Sequence, residues 1–141
     1  MDSRFNTHFI SDEVWRRANY FESTRLTVEY IAGHFHEQIT LEEIAAVACM
    51  EKTAFSKAFR KKTGVTFTAF LRAFRVSKAA VRIELSDEPI TDVAFSVGFG
   101  SLPSFERSFK RLVGCTPAAY RARFLHRLLP PGHGTRREDV K

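Results

Sequence analysis

Two stretches of the chain carry the same kind of chemistry. Residues 52–62 hold Lys52, Thr53, Ser56, Lys57, Arg60, Lys61 and Lys62. Residues 101–113 hold Ser101, Ser104, Glu106, Arg107, Lys110 and Arg111, with Leu102 and Pro103 near the start. Hydroxyls and cations at these spacings line one face of a helix. A helix face of this kind suits a polyanion with readable edges. Lys or Arg bonds guanine O6 and N7, and Leu, Pro or a Thr methyl packs on a thymine methyl. The chemistry is binding rather than bond breaking. No nucleophile–base pair or carboxylate pair stands in a motif, and Gly98-Phe99-Gly100-Ser101 lacks the Gly-Lys-Ser/Thr that completes a phosphate loop. His34 and His36, two apart on a helix, diverge, and two cysteines make neither a disulfide framework nor a four-Cys zinc site. The sequence therefore predicts no enzyme activity, metal or cofactor.

The elements that must present these faces form an internal repeat. Leu41-Glu42-Glu43-Ile44-Ala45 matches Ile90-Thr91-Asp92-Val93-Ala94 at an offset of 49, and Phe55-x-x-x-Phe59 with Gly64 matches Phe105-x-x-x-Phe109 with Gly114 at an offset of 50. The added residue predicts a turn near Cys49–Lys52 and Gly98–Ser101. Each copy reads as helix, turn, helix. Thr40 and Glu43 form a capping box in copy one; Pro89 opens copy two, where its missing N–H costs nothing. Ile44, Ala45, Val93 and Ala94 face inward with Phe55, Phe59, Phe105, Phe109 and Leu112. Gly64 and Gly114 close the second helices. Cys49 stands where copy two has Gly98, which predicts a different turn or strain.

A long helix over 66–86 joins the copies, with Phe67, Phe70, Leu71, Phe74, Lys78, Val81 and Leu85 as its expected stripe. Val28, Ile31 and Phe35 mark a helix over about 24–36, and Pro117 opens a last helix to about Leu128. The predicted fold is all-α: two helix-turn-helix subdomains and a linker helix, about seven helices, with a further N-terminal one. The expected divisions are an extension (1–23), first subdomain (24–65), linker helix (66–86), second subdomain (87–129) and flexible tail (130–141).

The 141 residues carry a formal net charge of +6, unevenly spread: residues 1–39 sum to −2 and residues 40–129 to +7. The cationic excess thus coincides with the repeat, as an anionic partner requires. No apolar run spans a membrane and no signal-peptide pattern opens the chain, which predicts a cytoplasmic protein without a membrane partner.

The stretch from about Val28 to Tyr120 resembles the DNA-binding domain of the AraC/XylS family. The resemblance is carried by Tyr30-Ile31, Leu41 to Ala45, Phe59-Arg60-Lys61-Lys62-Thr63-Gly64, Arg75, Ile90 to Ala94, Val97-Gly98-Phe99, Phe105 to Arg111, Gly114-Cys115-Thr116-Pro117 and Tyr120-Arg121. It departs at Phe67, where Pro is more usual, and at Cys49, where Gly is usual. It implies a bacterial, sequence-specific regulator of transcription, an activator contacting RNA polymerase. Matched to the family pattern, Thr53, Ser56 and Lys57 in copy one and Leu102, Ser104, Glu106 and Arg107 in copy two are expected to meet bases of double-stranded DNA. Arg60, Lys61, Lys62, Lys110 and Arg111 are expected on phosphates, and the helix starts at Leu41 and Ile90 are each expected to hold one phosphate. About 23 residues precede the first family helix, too few for the effector-binding and dimerisation domain typical of the family. The chain therefore resembles a stand-alone member or a fragment of a longer one. Val14, Trp15, Ala18 and Phe21 form a stripe, with Ser11 as cap, that either packs on its own domain or serves a homodimer or partner. The competing reading of the whole is a partner-binding module with weak, non-specific DNA binding, which Ser56 and Glu106 favour.

Overall fold

The computed structural model describes residues 9–128. The expected tail at 130–141 and the first eight residues lie outside them. Among the described residues there are eight helices and no strand: α1 (Asp12–Tyr20), α2 (Glu22–His34), α3 (Leu41–Val47), α4 (Lys52–Thr63), α5 (Phe67–Leu85), α6 (Ile90–Ser96), α7 (Leu102–Val113) and α8 (Pro117–Leu128). None is long and apolar enough to cross a membrane.

Local chemistry sets most of the ends. Ser11, Thr66 and Ser101 each accept a backbone N–H at the start of α1, α5 and α7. The Thr40–Glu43 capping box is formed in both directions. Gly64 and Gly114 end α4 and α7 in the left-handed conformation. Ser101, expected on the polar face of its helix, is instead its cap, so α7 begins one residue later. The first family helix begins two residues earlier than expected, because only Phe21 separates α1 from α2.

Both turns are Schellman motifs. In the first, the Cys49 N–H donates to Ala46 O and the Met50 N–H to Ala45 O, each at 2.9 Å. In the second, Gly98 N–H donates to Phe95 O and Phe99 N–H to Ala94 O, each at 3.1 Å. The inserted residue of copy two is thereby located: it is Gly100, between the motif and the Ser101 cap.

Two apolar clusters meet on α5. Its first half gives Phe67, Phe70, Leu71, Ala73 and Phe74 to a core shared with Ile31, Ile44, Phe55 and Phe59. Its second half gives Val76, Ala79, Ala80 and Ile83 to a core with Val93, Val97, Phe105 and Phe109. Here the expected stripe is corrected. Lys78 and Val81 are half-buried and Leu85 is 74% exposed, while Val76, Ala79, Ala80 and Ile83 are buried. One helix serving two cores cannot keep one stripe, so its inward face rotates at Ala73–Val76, where it passes from one unit to the other. Lys78 fits because its ammonium lies over Phe35 and Phe74, 5.8 and 5.5 Å from the ring centroids.

The units are also pinned directly. Arg75 donates from Nε to Phe35 O and from Nη2 to Glu37 O, both at 2.8 Å. Burial lowers the pKa of its guanidinium, and the two carbonyls supply the hydrogen bonds that burial requires. Gly98 closes over this junction: a Cβ there would lie 2.5 Å from Phe35 O and 2.6 Å from Arg75 Nε. At the other end of α5, the Tyr120 hydroxyl donates to the Glu84 carboxylate and Arg121 donates to Ile83 O and Glu88 O, which ties α8 to the linker helix.

The N-terminal stripe packs on its own chain. Trp15 and Ala18 are buried, Trp15 stacks on Phe70 and Phe74, and α1 lies against α2 and α4.

Candidate nucleic-acid interface

The polar faces are presented as their periodicity requires. α4 packs on α3 and α7 on α6, and each buries a Phe pair four residues apart, Phe55 with Phe59 and Phe105 with Phe109. Those pairs fix the rotation of each helix about its own axis and leave the opposite face to solvent.

On α4, Lys52, Thr53, Lys57, Arg60 and Lys61 are exposed and Ser56 is half-buried. On α7, Pro103, Glu106, Arg107, Lys110 and Arg111 are exposed, while Leu102 and Ser104 are half-buried. Lys57 and Arg107 are the matching pair at the repeat offset of 50. Neither makes an ion pair or hydrogen bond with a side chain among the described residues, so both cations are available to a ligand. Ser56, Lys57, Arg60 and Lys61 come together along one groove that continues to Thr66 and Thr68 at the start of α5.

Several of these side chains also make contacts within the protein. Lys52 pairs with Glu42 at 3.0 Å across the α3–α4 corner, and this ammonium holds the Glu42 carboxyl below its usual pKa. Lys62 donates to Ser23 Oγ at 3.1 Å and sits 5.5 Å from the Phe21 ring centroid, so the cation expected on a phosphate is shared with the α1–α2 corner. Leu102 packs against the second core. At the start of α3, the Glu43 N–H is taken by Thr40 Oγ1, and the Glu43 carboxyl, bonded to the Thr40 N–H and the Tyr30 hydroxyl, is held below its usual pKa. Two carboxylates and a satisfied amide leave that helix start poorly suited to a phosphate.

Glu51, passed over in the sequence, caps α4 by accepting the Ala54 N–H at 3.1 Å. Backbone N–H donors from Thr53 and Ala54 keep its carboxyl ionised below the usual range. Arg16 and Arg17 were also missed. They line a second groove beside α4 with Lys61 and Lys62, and nothing in their own segment signals it, because that segment is net acidic.

Among the described residues no His, Cys, Asp or Glu cluster suits a metal. Cys49 is exposed and Cys115 half-buried, and both are free thiols.

Known proteins share this arrangement. A family model described as a helix-turn-helix domain matches residues 44–123. An uncharacterized HTH-type transcriptional regulator of Staphylococcus aureus is 39% identical over 93 residues, 66% of this chain and 12% of that protein. The uncharacterized HTH-type transcriptional regulator YbfP of Bacillus subtilis is 33% identical over 102 residues, 72% of this chain and 35% of that protein. The chain therefore spans well under two thirds of the length of these relatives. Among solved structures, the DNA-binding domain of AdpA, a global transcriptional factor in complex with a target DNA, superposes with a TM-score of 0.69 at 33% identity, covering 84% of this chain and 97% of that one. A probable AraC family transcriptional regulator from Rhodopseudomonas palustris gives a TM-score of 0.68 at 25% identity, covering 74% of this chain and 98% of that one.

Proposed function

The chain belongs to the AraC/XylS-type family of helix-turn-helix transcription regulators, and from that premise we propose that it reads two adjacent major grooves of one DNA duplex with α4 and α7. The observation that carries this reading is the matched, exposed pair Lys57 and Arg107 on two helices whose rotation is set by equivalent Phe pairs. Thr53, Ser56 and Lys57 contact bases in one groove; Leu102, Ser104, Glu106 and Arg107 do so in the next. Arg60, Lys61, Lys110 and Arg111 hold phosphates, and Lys62 adds charge from the side of α4. Phosphate contacts set the position and base contacts set the sequence.

Both readers lie on one polypeptide, so a single chain serves two grooves without a second copy. Grooves on one side of a duplex recur about every 34 Å, which makes the site about 20 base pairs long. The two faces differ in sequence, so the site is asymmetric rather than palindromic. Activation through contact with RNA polymerase is the regulatory outcome that family membership favours; a promoter fusion carrying the selected site reports it as raised rather than lowered transcription.

Binding-site selection from random duplexes tests the reading. It predicts one recurrent motif made of two unlike halves about one helical turn apart. Salt-sensitive binding with no recurrent motif contradicts it and favours a partner-binding module on the same fold.

A further inference from the structure

Resting on that reading, we propose that α1 is a third DNA contact: Arg16 and Arg17 grip the sugar–phosphate backbone flanking the sequence read by α4, without reading bases. The helix is held firmly enough for the task. Ser11 caps it, Trp15 is stacked in the first core, and Ala18 is fully buried. It lies against α4 itself, outside the residues that the family model matches. Its outer face carries Arg16, Arg17 and Tyr20, the last 75% exposed.

Charge continuity identifies the occupant. The groove between α1 and the end of α4 is lined by Arg16, Arg17, Tyr20, Phe21, Lys61 and Lys62. Lys61 also lines the groove along the reading face, with Lys57 and Arg60. One band of cations thus runs from the base-reading face onto α1, and a backbone already touching Lys61 continues towards Arg16 and Arg17. The opposing group is Glu13, which pairs with Arg16 Nη2 at 2.6 Å and Arg17 Nε at 2.7 Å. One carboxylate shared by two guanidiniums leaves an excess charge and unused N–H donors. An exposed pair of this kind is weak and screened by salt, so a phosphate competes with Glu13 on favourable terms.

The test is the salt dependence of binding to a duplex carrying the selected site with about ten extra base pairs on each flank. Arg16→Gln/Arg17→Gln is compared with the wild-type chain, and thermal melting verifies that both fold. Each lost phosphate contact flattens the plot of log K against log salt by about 0.9. The double variant should therefore show a slope shallower by about 1.8 and, between about 50 and 200 mM salt, a loss of affinity about tenfold smaller than wild type. Its base preference should be unchanged. Glu13→Gln should move the other way, binding more tightly at low salt, which a merely structural role for the Arg–Glu cluster does not produce. A wild-type slope in the double variant overturns the proposal, even if that variant loses an acidic protein partner. Failure of the two-groove reading is distinguishable, because it shows as a missing motif in the wild-type selection while the slope comparison stays readable on any duplex.

Discussion

In the first helix-turn-helix unit the turn passes through Cys49 at φ 60°, and in the second through Gly98 at φ 107°. The hydrogen bonds around the two are the same, yet their surroundings are opposite. Cys49 is exposed, whereas Gly98 is buried against Arg75 and Phe35 O. The last turns of α4 and α7 differ in the same sense. Lys62 reaches out to Ser23 and Phe21, while its counterpart Leu112 packs against both cores. The second unit is thus pressed into the rest of the protein through its turn and its α7, and the first is buttressed from outside by α1. A repeat keeps its internal hydrogen bonds under strong local constraint. Its outward neighbours diverge, because each copy meets a different part of the chain.

The largest effect that follows is at Gly98. Gly98→Ala places a methyl group where Phe35 O and Arg75 Nε already stand, on a backbone that L-residues avoid, and should cost about 3 kcal/mol in denaturant unfolding. Cys49→Ala, at the matching position, should be close to neutral; equal losses at the two sites would break the comparison. Next comes Arg75→Met, which keeps the stem but removes two charge-assisted hydrogen bonds to carbonyls of the first unit. It should cost about 2 kcal/mol and weaken binding to a full site more than to either half alone. The smallest measurable change is a gain. Cys49→Gly relieves a left-handed non-glycine residue, offset by the added freedom of the unfolded chain, and should stabilise by about 0.5 kcal/mol.

Much of this was legible because it is local or periodic. The capping box, the closing glycines and the Phe pairs act within one or two helical turns, and the second copy repeats their spacing, so the pattern announces them. The linker helix was legible as a helix but not in its facing, since a residue such as Leu85 gives no sign that the core it would join has moved around the axis. Ser101 served equally well as a cap or as the first residue of a polar face, and only the backbone separates the two. The basic face of α1 was illegible for a different reason: Arg16 and Arg17 acquire meaning from Lys61, forty-odd residues away, through a packing contact that no pattern within residues 1–23 encodes.

The central claim is that unlike faces on two units read separate halves of one site. Its most direct test is binding-site selection repeated with Lys57→Ala and with Arg107→Ala. Each substitution should relax preference at one base step, by about 1–3 kcal/mol, with the two affected steps in opposite halves of the motif about one helical turn apart. If both substitutions relax the same step, or weaken every sequence alike, the claim is wrong.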